Sequence, residues 1–256
     1  RRPEGTTPSQ YTELCVRELE EIIKYSTSGK IAAFIAEPIA GFGGVIDPRP
    51  DYFPKAYEIV KKYGGLFISD EVQTGVGRTG NKFLGIEQWG VKPDMVTMAK
   101  GLGNGYPLGA VITTKEIAAA MQGKVHFNTF GGSPVAMAAG LAVLDVLDKE
   151  KLADNAAEVG GYLKQKLQVI GEKSTWVGEV RGKGLMLGVE LVKNKKTKEP
   201  APEETLKIMD LAKDRGVLLG KGGMAANVIR IKPPLCLTKQ NADDIANALE
   251  DSLRQL

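Results

Sequence analysis

The sequence predicts an α/β fold with a mainly parallel sheet flanked by helices, followed by a smaller C-terminal α+β domain. In roughly the first 150 residues, short continuous apolar runs alternate with amphipathic helical segments, which is the order expected of βαβ units. Further along, the pattern changes to a hairpin and to short strands separated by single helices. We therefore predict a large domain over residues 1–150 and a small C-terminal domain over residues 151–256.

The elements of the first domain follow in chain order. Apolar residues recur at helical spacing in "YTELCVRELEEIIKYS", and Gly29 then ends that helix. "DYFPKAYEIVKKYGG" predicts a second helix. The runs "KIAAFIAEP", "LFISDEV", "DMVTMAK" and "LGAVITT" are typical of strands in a mainly parallel sheet, and we expect such strands to be buried on both faces.

The elements of the second domain follow two further helices. These helices are predicted in "SPVAMAAGLAVLDVLDKE" and "KLADNAAEVGGYLKQKLQVIGE". The domain itself should contain the hairpin "VGEVRGKGLMLGVELV", a helix in "EETLKIMDLAKDRG", and strands in "VLLGK" and "NVIRIKPPL". Thr238 has the residue type and position of an N-cap for a terminal helix.

Composition narrows the function classes. The 34 Lys and Arg residues nearly balance 31 Asp and Glu residues, and the net charge of +3 is too small to indicate a nucleic-acid partner. No apolar run approaches membrane-spanning length, so we expect no membrane partner. Cys15 and Cys236 lack metal-ligand spacing, and we expect no metal site. Since the chain does not open with Met, we expect it to begin inside a longer protein.

The pattern G-x-G-x-x-G at Gly75, Gly77 and Gly80 raises one functional alternative, a nicotinamide-dependent oxidoreductase. A dinucleotide site needs its first glycine directly after the strand and a helix that opens across the last one. Here "DEVQT" separates the strand from Gly75, and "NKFLGIEQWG" shows no clear helical face. We interpret the loop as one that leads away from the site and keep the oxidoreductase as an alternative from a different class.

Charged residues stand at the ends of three predicted strands, where ligands bind in parallel sheets. They are Glu37, Asp70 and Lys100. A partly desolvated carboxylate at Asp70 needs a donor such as a protonated pyridine nitrogen, whereas for Glu71 we expect only the capping of the next turn. Lys100 precedes the glycine-rich "GLGNGYPLG" and suits a Schiff-base nucleophile. Together these residues predict pyridoxal phosphate chemistry.

Several motifs together carry a family resemblance. "FISDEVQTGVGRTG", "MAKGLGNGYPLGAVI", "NTFGGSPVA", "VRGKGLMLGVEL" and "NVIRIKPPL" resemble, in order and approximate spacing, the class III pyridoxal phosphate-dependent aminotransferases of fold type I. "FIAEPIAGFGGVI" and "GVLLGKGG" are similar to the alanine:glyoxylate type within that family. The resemblance spans nearly the whole chain. It implies pyridoxal 5'-phosphate as cofactor and an enzyme that transfers the amino group of alanine to glyoxylate, giving pyruvate and glycine.

The resemblance also implies roles for single residues. Lys100 and Asp70 would be catalytic: Lys100 binds the cofactor as a Schiff base and then moves protons, and Asp70 pairs with the pyridine nitrogen. Val72 would pack on the cofactor ring, and Gln73 would lie near its phenolic oxygen. Thr129 would reach the cofactor phosphate of a partner subunit. The resemblance therefore implies a homodimer or homotetramer that shares active sites.

Substrate contacts follow from the same resemblance. Arg230 matches the arginine that holds the substrate α-carboxylate, and Glu37 matches a glutamate that supports the site through hydrogen bonds. Relatives that use ω-amino substrates carry a second glutamate five positions after the first, and that glutamate masks the arginine. Phe42 occupies that position here, so we expect small substrates with an α-carboxylate, such as alanine, glyoxylate and pyruvate.

Alternatives remain open at this point. Another ω-amino-acid or β-aminoisobutyrate:pyruvate transaminase would keep the same site. The family's chain is longer and supplies, before this point, a loop that cups the phosphate and an aromatic residue over the ring. We therefore expect residues 1–256 alone to bind the cofactor poorly, and a non-catalytic binding fragment is a further alternative. The resemblance suggests a mitochondrial location; peroxisomal and cytoplasmic locations stay open, although "LRQL" is not the usual peroxisomal address.

Overall fold

The structure, a computed structural model, describes residues 5–256. It has an α/β architecture with two four-stranded sheets flanked by helices. The chain forms two compact units, which we call unit 1 and unit 2. Unit 1 comprises residues 5–38, Pro48–Gln73 and Ile86–Leu144, and unit 2 comprises Ile39–Asp47, Thr74–Gly85 and Asp145–Leu256. Two segments of the first half of the chain therefore belong to unit 2, and the domains predicted over residues 1–150 and 151–256 stay predictions.

The sheet of unit 1 contains four strands in the order β1 (Ala33–Ala36), β2 (Leu66–Asp70), β3 (Met95–Met98) and β4 (Ala110–Thr113). The first three strands run parallel, and β4 pairs antiparallel with β3. The predicted fold class, a mainly parallel sheet with flanking helices, is confirmed. Three neighbouring strands consequently end at one common edge of this sheet.

The helices of unit 1 include α1 (Pro8–Ser26), α2 (Tyr52–Lys62) and the short α3 (Lys115–Ala119), and α4 (Pro134–Lys149) continues into unit 2. α1 packs on α2, and α2 packs on β2. Burial of aromatic rings between α2 and β2 removes large apolar areas from water and stabilises this layer.

The strands of unit 1 are less buried than the sequence predicts. Phe53 on α2 lies with its ring centroid 6.1 Å from that of Phe67 on β2, and Phe34 on β1 packs against the same ring at 5.3 Å. Ile35 points to the opposite face of the sheet and is 59% exposed. The expectation of burial on both faces is therefore wrong for β1 within the described residues, since α2 covers one face.

The sheet of unit 2 has the order β5-β6-β8-β7 and is antiparallel throughout. The strands β5 (Val177–Lys183) and β6 (Met186–Leu191) form the predicted hairpin, and β8 (Val228–Ile231) lies in the predicted "NVIRIKPPL". Of the strand predicted in "VLLGK", only its last two residues enter β7 (Gly220–Gly222). Glycines occupy two of the three positions of β7, which leaves room for neighbouring side chains.

The helices α5 (Leu152–Lys173) and α6 (Pro202–Lys213) pack on this sheet, and α7 (Lys239–Leu253) packs on both of these helices. Thr238 caps α7, since its Oγ1 accepts a hydrogen bond from Asn241 N at 3.2 Å, and the predicted N-cap is confirmed. The core between helices and sheet is made of fully buried apolar side chains, among them Leu163, Leu167, Leu187, Ile208 and Ile229.

Neither a membrane span nor a metal centre is present in the part of the chain that the structure describes. No helix among residues 5–256 is long and apolar enough to cross a membrane. The same residues contain no group of three His, Cys, Asp or Glu side chains arranged to hold a metal ion.

Candidate active site

The three strand-end residues of unit 1 lie along one edge of its sheet. Glu37 directly follows β1, Asp70 is the last residue of β2, and Lys100 follows β3 after one intervening residue. Asp70 pairs in register with Thr97 on β3. Because the three strands are parallel and neighbouring strands lie about 4.8 Å apart, this edge collects a glutamate, an aspartate and a lysine where ligands bind in such sheets.

The carboxylate of Asp70 is oriented by its own loop and keeps one oxygen available. Oδ1 accepts a hydrogen bond from Val72 N at 3.0 Å, and Val72 itself is half-buried. Within residues 5–256, no hydrogen bond reaches Oδ2 and no cation pairs with the carboxylate. This carboxylate can therefore accept one further strong donor without giving up its present contact.

Lys100 has a strained backbone and an amine without a partner. Its φ of +46° lies in the left-handed region, which costs a non-glycine residue about 1–3 kcal/mol. None of the groups in the described chain bonds to its amine. The residue borders a cavity of about 560 Å³ whose other walls include Asn104, Tyr106 and Leu108. Strain at a residue beside a cavity supports a functional role.

The glycines after Lys100 serve the turn as well as the cavity. A Cβ on Gly103 would lie 2.1 Å from Tyr106 O, so any other residue would clash with the backbone of this turn. Gly101 and Gly105 line the cavity. Gly101 and Gly105 thus leave space beside Lys100, whereas Gly103 is required by the turn itself.

Two further carboxylates hold the loop that follows β2. Gln73 Nε2 donates to Glu37 Oε2 at 3.1 Å, which joins the ends of β1 and β2. Glu71 is only 1% exposed, and its Oε1 accepts hydrogen bonds from Ser69 Oγ at 2.9 Å and from Ile86 N at 2.8 Å. Glu71 therefore binds a partner fifteen residues away, which is more distant than the capping of the next turn that the sequence predicts.

Thr129 lies in an exposed turn of unit 1. The turn is stabilised by Asn128 Oδ1, which accepts a hydrogen bond from Phe130 N at 3.1 Å. The role predicted for Thr129 involves a partner subunit, so it stays a prediction.

Two of the three glycines in the G-x-G-x-x-G pattern, Gly77 and Gly80, pack against α5. A Cβ on Gly77 would lie 3.1 Å from Ala153 Cβ, and one on Gly80 would lie 2.8 Å from Ala157 Cα. Both glycines also have positive φ, +78° and +83°. The close approach of loop and helix accounts for these glycines without a nucleotide.

Arg230 lies on β8 in unit 2, whereas Asp70 and Lys100 belong to unit 1. Its register partners are Gly188 on β6 and Gly220 on β7, so no side chain flanks it in that row of the sheet. Its Nε is buried and has no hydrogen-bond partner, and no carboxylate of the described chain pairs with it.

Phe42 stacks on this arginine. The centroid of the Phe42 ring lies 5.9 Å from Arg230 Cζ, and Phe42 belongs to the segment Ile39–Asp47 of unit 2. An aromatic ring attracts a guanidinium and orients it without neutralising its charge. Arg230 therefore has the arrangement expected of a group that binds an external anion.

Two further arginines, Arg78 and Arg181, bind backbone carbonyls that are distant in the sequence. Arg78 Nη1 donates to Leu185 O at 3.2 Å and to Pro233 O, and burial lowers the pKa of its guanidinium. Arg181 Nε donates to Gly44 O at 3.0 Å. Their partners stand 107, 155 and 137 residues away in the sequence, so no local pattern indicates them.

Comparison with known proteins identifies the family. The profile described as "Aminotransferase class-III" matches residues 3–253. The chain is 56% identical over 244 residues to "Alanine–glyoxylate aminotransferase 2 homolog 2, mitochondrial" of Arabidopsis thaliana, covering 95% of this chain and 51% of that protein. It is 41% identical to "Ethanolamine-phosphate phospho-lyase homolog 1" of Caenorhabditis elegans, covering 87% of this chain and 49% of that one. The chain thus spans about half the length of the curated relatives it matches.

Comparison with solved structures supports the same family. An amine transaminase from an uncultivated Pseudomonas species, with pyridoxal phosphate bound, superimposes with a TM-score of 0.93 at 42% identity, over 100% of this chain and 59% of that one. The cofactor that these matches indicate is pyridoxal phosphate. From the profile, the relatives and the fold together, the chain belongs to the class III aminotransferases.

Proposed function

We propose that the protein is a pyridoxal phosphate-dependent aminotransferase that moves the amino group of alanine to glyoxylate and so gives pyruvate and glycine. The observation that carries this proposal is the pair of open groups at neighbouring strand ends, the Oδ2 of Asp70 and the amine of Lys100. Family membership supports the aminotransferase class. The Arabidopsis relative, named for alanine and glyoxylate, supports the substrates.

The residues present suit the cofactor. Asp70 would accept a hydrogen bond from the pyridine nitrogen through the oxygen that has no partner, and Lys100 would bind the cofactor covalently beside the cavity of about 560 Å³. Val72 would pack on the ring, and Gln73, held by Glu37, would lie near the phenolic oxygen. When bound, pyridoxal phosphate supplies an electron-accepting ring that stabilises negative charge at the substrate Cα.

Lys100 and Asp70 then divide the chemical work. The amine of Lys100 would take the proton from the substrate Cα and deliver it to C4′ of the cofactor, so that the amino group can leave the substrate. The carboxylate of Asp70 would keep the ring nitrogen of the cofactor protonated, since a negative charge favours the protonated form of a neighbouring base. The hydrogen bond from Val72 N holds that carboxylate in place throughout.

Arg230 is the group that holds the substrate α-carboxylate. A guanidinium binds a carboxylate through two parallel hydrogen bonds, and this one has a buried Nε without a partner. Phe42 covers it where relatives that use ω-amino substrates carry a glutamate. The absence of a masking acid at this position favours small α-amino acids such as alanine over ω-amino acids or β-aminoisobutyrate.

Partners and location complete the proposal. We infer a homo-oligomer, at least a dimer, in which the exposed Thr129 reaches the cofactor phosphate of a partner subunit. Residues 1–150 would form part of the cofactor-binding domain and residues 151–256 the small domain. The name of the Arabidopsis relative supports a mitochondrial location.

The test uses the full-length protein. We expect visible absorbance from bound cofactor, a borohydride-stable adduct that mass spectrometry maps to Lys100, and pyruvate production from alanine with glyoxylate as acceptor. Lys100→Ala should lose both the adduct and the pyruvate. A protein without absorbance or adduct would contradict the cofactor role. An adduct on Lys100 without pyruvate would retain the cofactor but overturn the substrate pair, and the phospho-lyase among the relatives makes phosphoethanolamine the next substrate to assay.

A further inference from the structure

A second arginine lies in the same row of the unit 2 sheet as Arg230. Arg181 on β5 pairs with Gly188 on β6, and Gly188 pairs in turn with Arg230 on β8. Residues paired directly across neighbouring strands project their side chains from the same face of the sheet. The two arginines therefore stand on one face, with a glycine between them.

The segment that carries Phe42 covers that glycine. A Cβ on Gly188 would lie 3.3 Å from Gly44 O, so the segment packs directly on the strand. Phe42 O accepts a hydrogen bond from Gly223 N at 3.0 Å. The backbone from Phe42 to Gly44 is thus held against the sheet, and the Phe42 ring contacts Arg230.

Arg181 is what holds the Gly44 end of this segment. Its Nε donates to Gly44 O at 3.0 Å, and its Nη1 pairs with Glu190 Oε2 and with Glu179 Oε2. The side chains of Arg181 and Glu190 are only 11% and 13% exposed, whereas that of Glu179 is 61% exposed. The buried pair with Glu190 is therefore the stronger of the two, because water screens an exposed pair.

We propose that Arg181, oriented by Glu190, is a positioning residue for the carboxylate-binding arginine. By holding Gly44 it keeps the ring of Phe42 on Arg230, which fixes the guanidinium while leaving its charge available to a substrate carboxylate. Arg181 itself is neutralised by acidic side chains and so does not compete for that carboxylate. The inference rests on the proposed function in one respect, that Arg230 binds the substrate.

The role requires an arginine. One guanidinium presents Nε to a carbonyl and Nη1 to a carboxylate in a rigid plane, whereas a lysine presents a single ammonium. Arg181→Lys keeps the charge and loses this fork. A positive charge alone would be restored by lysine, so this variant separates positioning from electrostatics.

The test compares Arg181→Lys and Glu190→Gln with the matched control Glu179→Gln in the full-length holoenzyme. We expect the KM for alanine and the inhibition constant of propionate, which is alanine without its amino group, to rise roughly tenfold in the first two variants. The kcat should stay within about twofold, since Lys100 and Asp70 are untouched. Glu179→Gln should leave all three constants within about twofold.

Two measurements keep the inference open to refutation. Amide exchange of the segment Ile39–Asp47 should speed up in Arg181→Lys and Glu190→Gln but not in Glu179→Gln. In a Phe42→Ala background, Glu190→Gln should add less than about twofold to the KM, because both changes act on the same contact. Unchanged exchange, a fall in kcat at constant KM, or additive effects would each overturn the positioning role. If the wild-type enzyme does not transaminate alanine, the proposed function fails. Amide exchange of Ile39–Asp47 then still shows whether Arg181 holds this segment.

Discussion

Arg181 and Arg230 are the same residue type on one row of one sheet, yet their surroundings differ. Arg181 is bound by Gly44 O and by two glutamates, whereas Arg230 has an aromatic ring beside it and a buried Nε without a partner. A similar contrast separates neighbours on β2, where Glu71 accepts two hydrogen bonds and Asp70 keeps an oxygen open. The contrast teaches that the partners of a charged group, more than its residue type, distinguish a structural from a ligand-binding role.

The largest effect is expected at Asp70. Asp70→Asn should lower kcat/KM for alanine by about 10³-fold, because a neutral amide no longer stabilises the protonated ring nitrogen. Its unfolding temperature should change little, since the amide oxygen can still accept the hydrogen bond from Val72 N. Stopped-flow half-reactions and thermal unfolding of the holoenzyme measure the two quantities.

Glu71→Gln is the matched control for that experiment. It changes the neighbouring buried carboxylate in the same way and should mainly reduce stability, by about 1–2 kcal/mol, because a neutral amide oxygen accepts those two hydrogen bonds more weakly than a charged carboxylate does. If both variants lost activity equally and kept their stability, the distinction between open and bonded carboxylates would fail.

The next largest effect concerns the two arginines. Arg230→Gln should lower kcat/KM for alanine by about 100-fold, since a buried partner of the substrate carboxylate is lost, with little change in the free energy of unfolding. Arg181→Gln should raise the KM for alanine and also lower that free energy by about 3 kcal/mol, because it removes the guanidinium that pairs with the nearly buried Glu190. Steady-state kinetics measures kcat/KM, and urea unfolding measures the free energy of unfolding of both variants. A larger loss of stability in Arg230→Gln than in Arg181→Gln would reverse the comparison.

Phe42→Glu sharpens the role of the ring over Arg230. The new carboxylate would stand where Phe42 now contacts the guanidinium and should lower kcat/KM for alanine roughly tenfold by competing for the charge. Raising the ionic strength should relieve part of the loss, since Phe42 is 72% exposed and salt screens exposed pairs. The control is Phe42→Gln, because glutamine has nearly the size of glutamate without its charge and so measures the effect of removing the ring alone. Undiminished kcat/KM in Phe42→Glu would refute masking.

The sequence predicts that Glu37, Asp70 and Lys100 stand at strand ends because the signals for these positions are local. A short apolar run followed at once by a charged residue indicates Asp70 or Lys100 without knowledge of any distant partner. The contacts of Arg181 and Glu71 join segments 137 and 15 residues apart, so only the fold reveals them. The exposed face of β1 is also revealed only by the fold, because a continuous apolar run does not predict which faces of a strand other elements cover.

Asp47 gives the smallest effect and the strictest test of the comparison. Asp47 lies in unit 2, and its buried Oδ1 has no hydrogen-bond partner. In this respect it resembles Arg230, whose buried Nε also has none. No sequence motif, however, assigns a function to Asp47. Lys183 Nζ stands 3.7 Å from that oxygen. Burial is the main cause that raises the pKa of the Asp47 carboxyl above 3.8, and Lys183 opposes it.

The raised pKa of Asp47 determines how its carboxyl changes the free energy of unfolding with pH. A carboxyl whose pKa is higher in the folded than in the unfolded chain stabilises the fold below the unfolded value, and this contribution is lost as the pH rises through the folded value. Asp47→Asn should therefore match the wild type near pH 3.8 and become more stable than it at pH 7, by less than about 2 kcal/mol. Urea unfolding at both pH values measures the difference, and kcat/KM for alanine should stay unchanged. A loss of activity comparable to that of Arg230→Gln would show that an unbonded buried atom marks the site even without an aromatic cover, and would move Asp47 into the substrate-binding group.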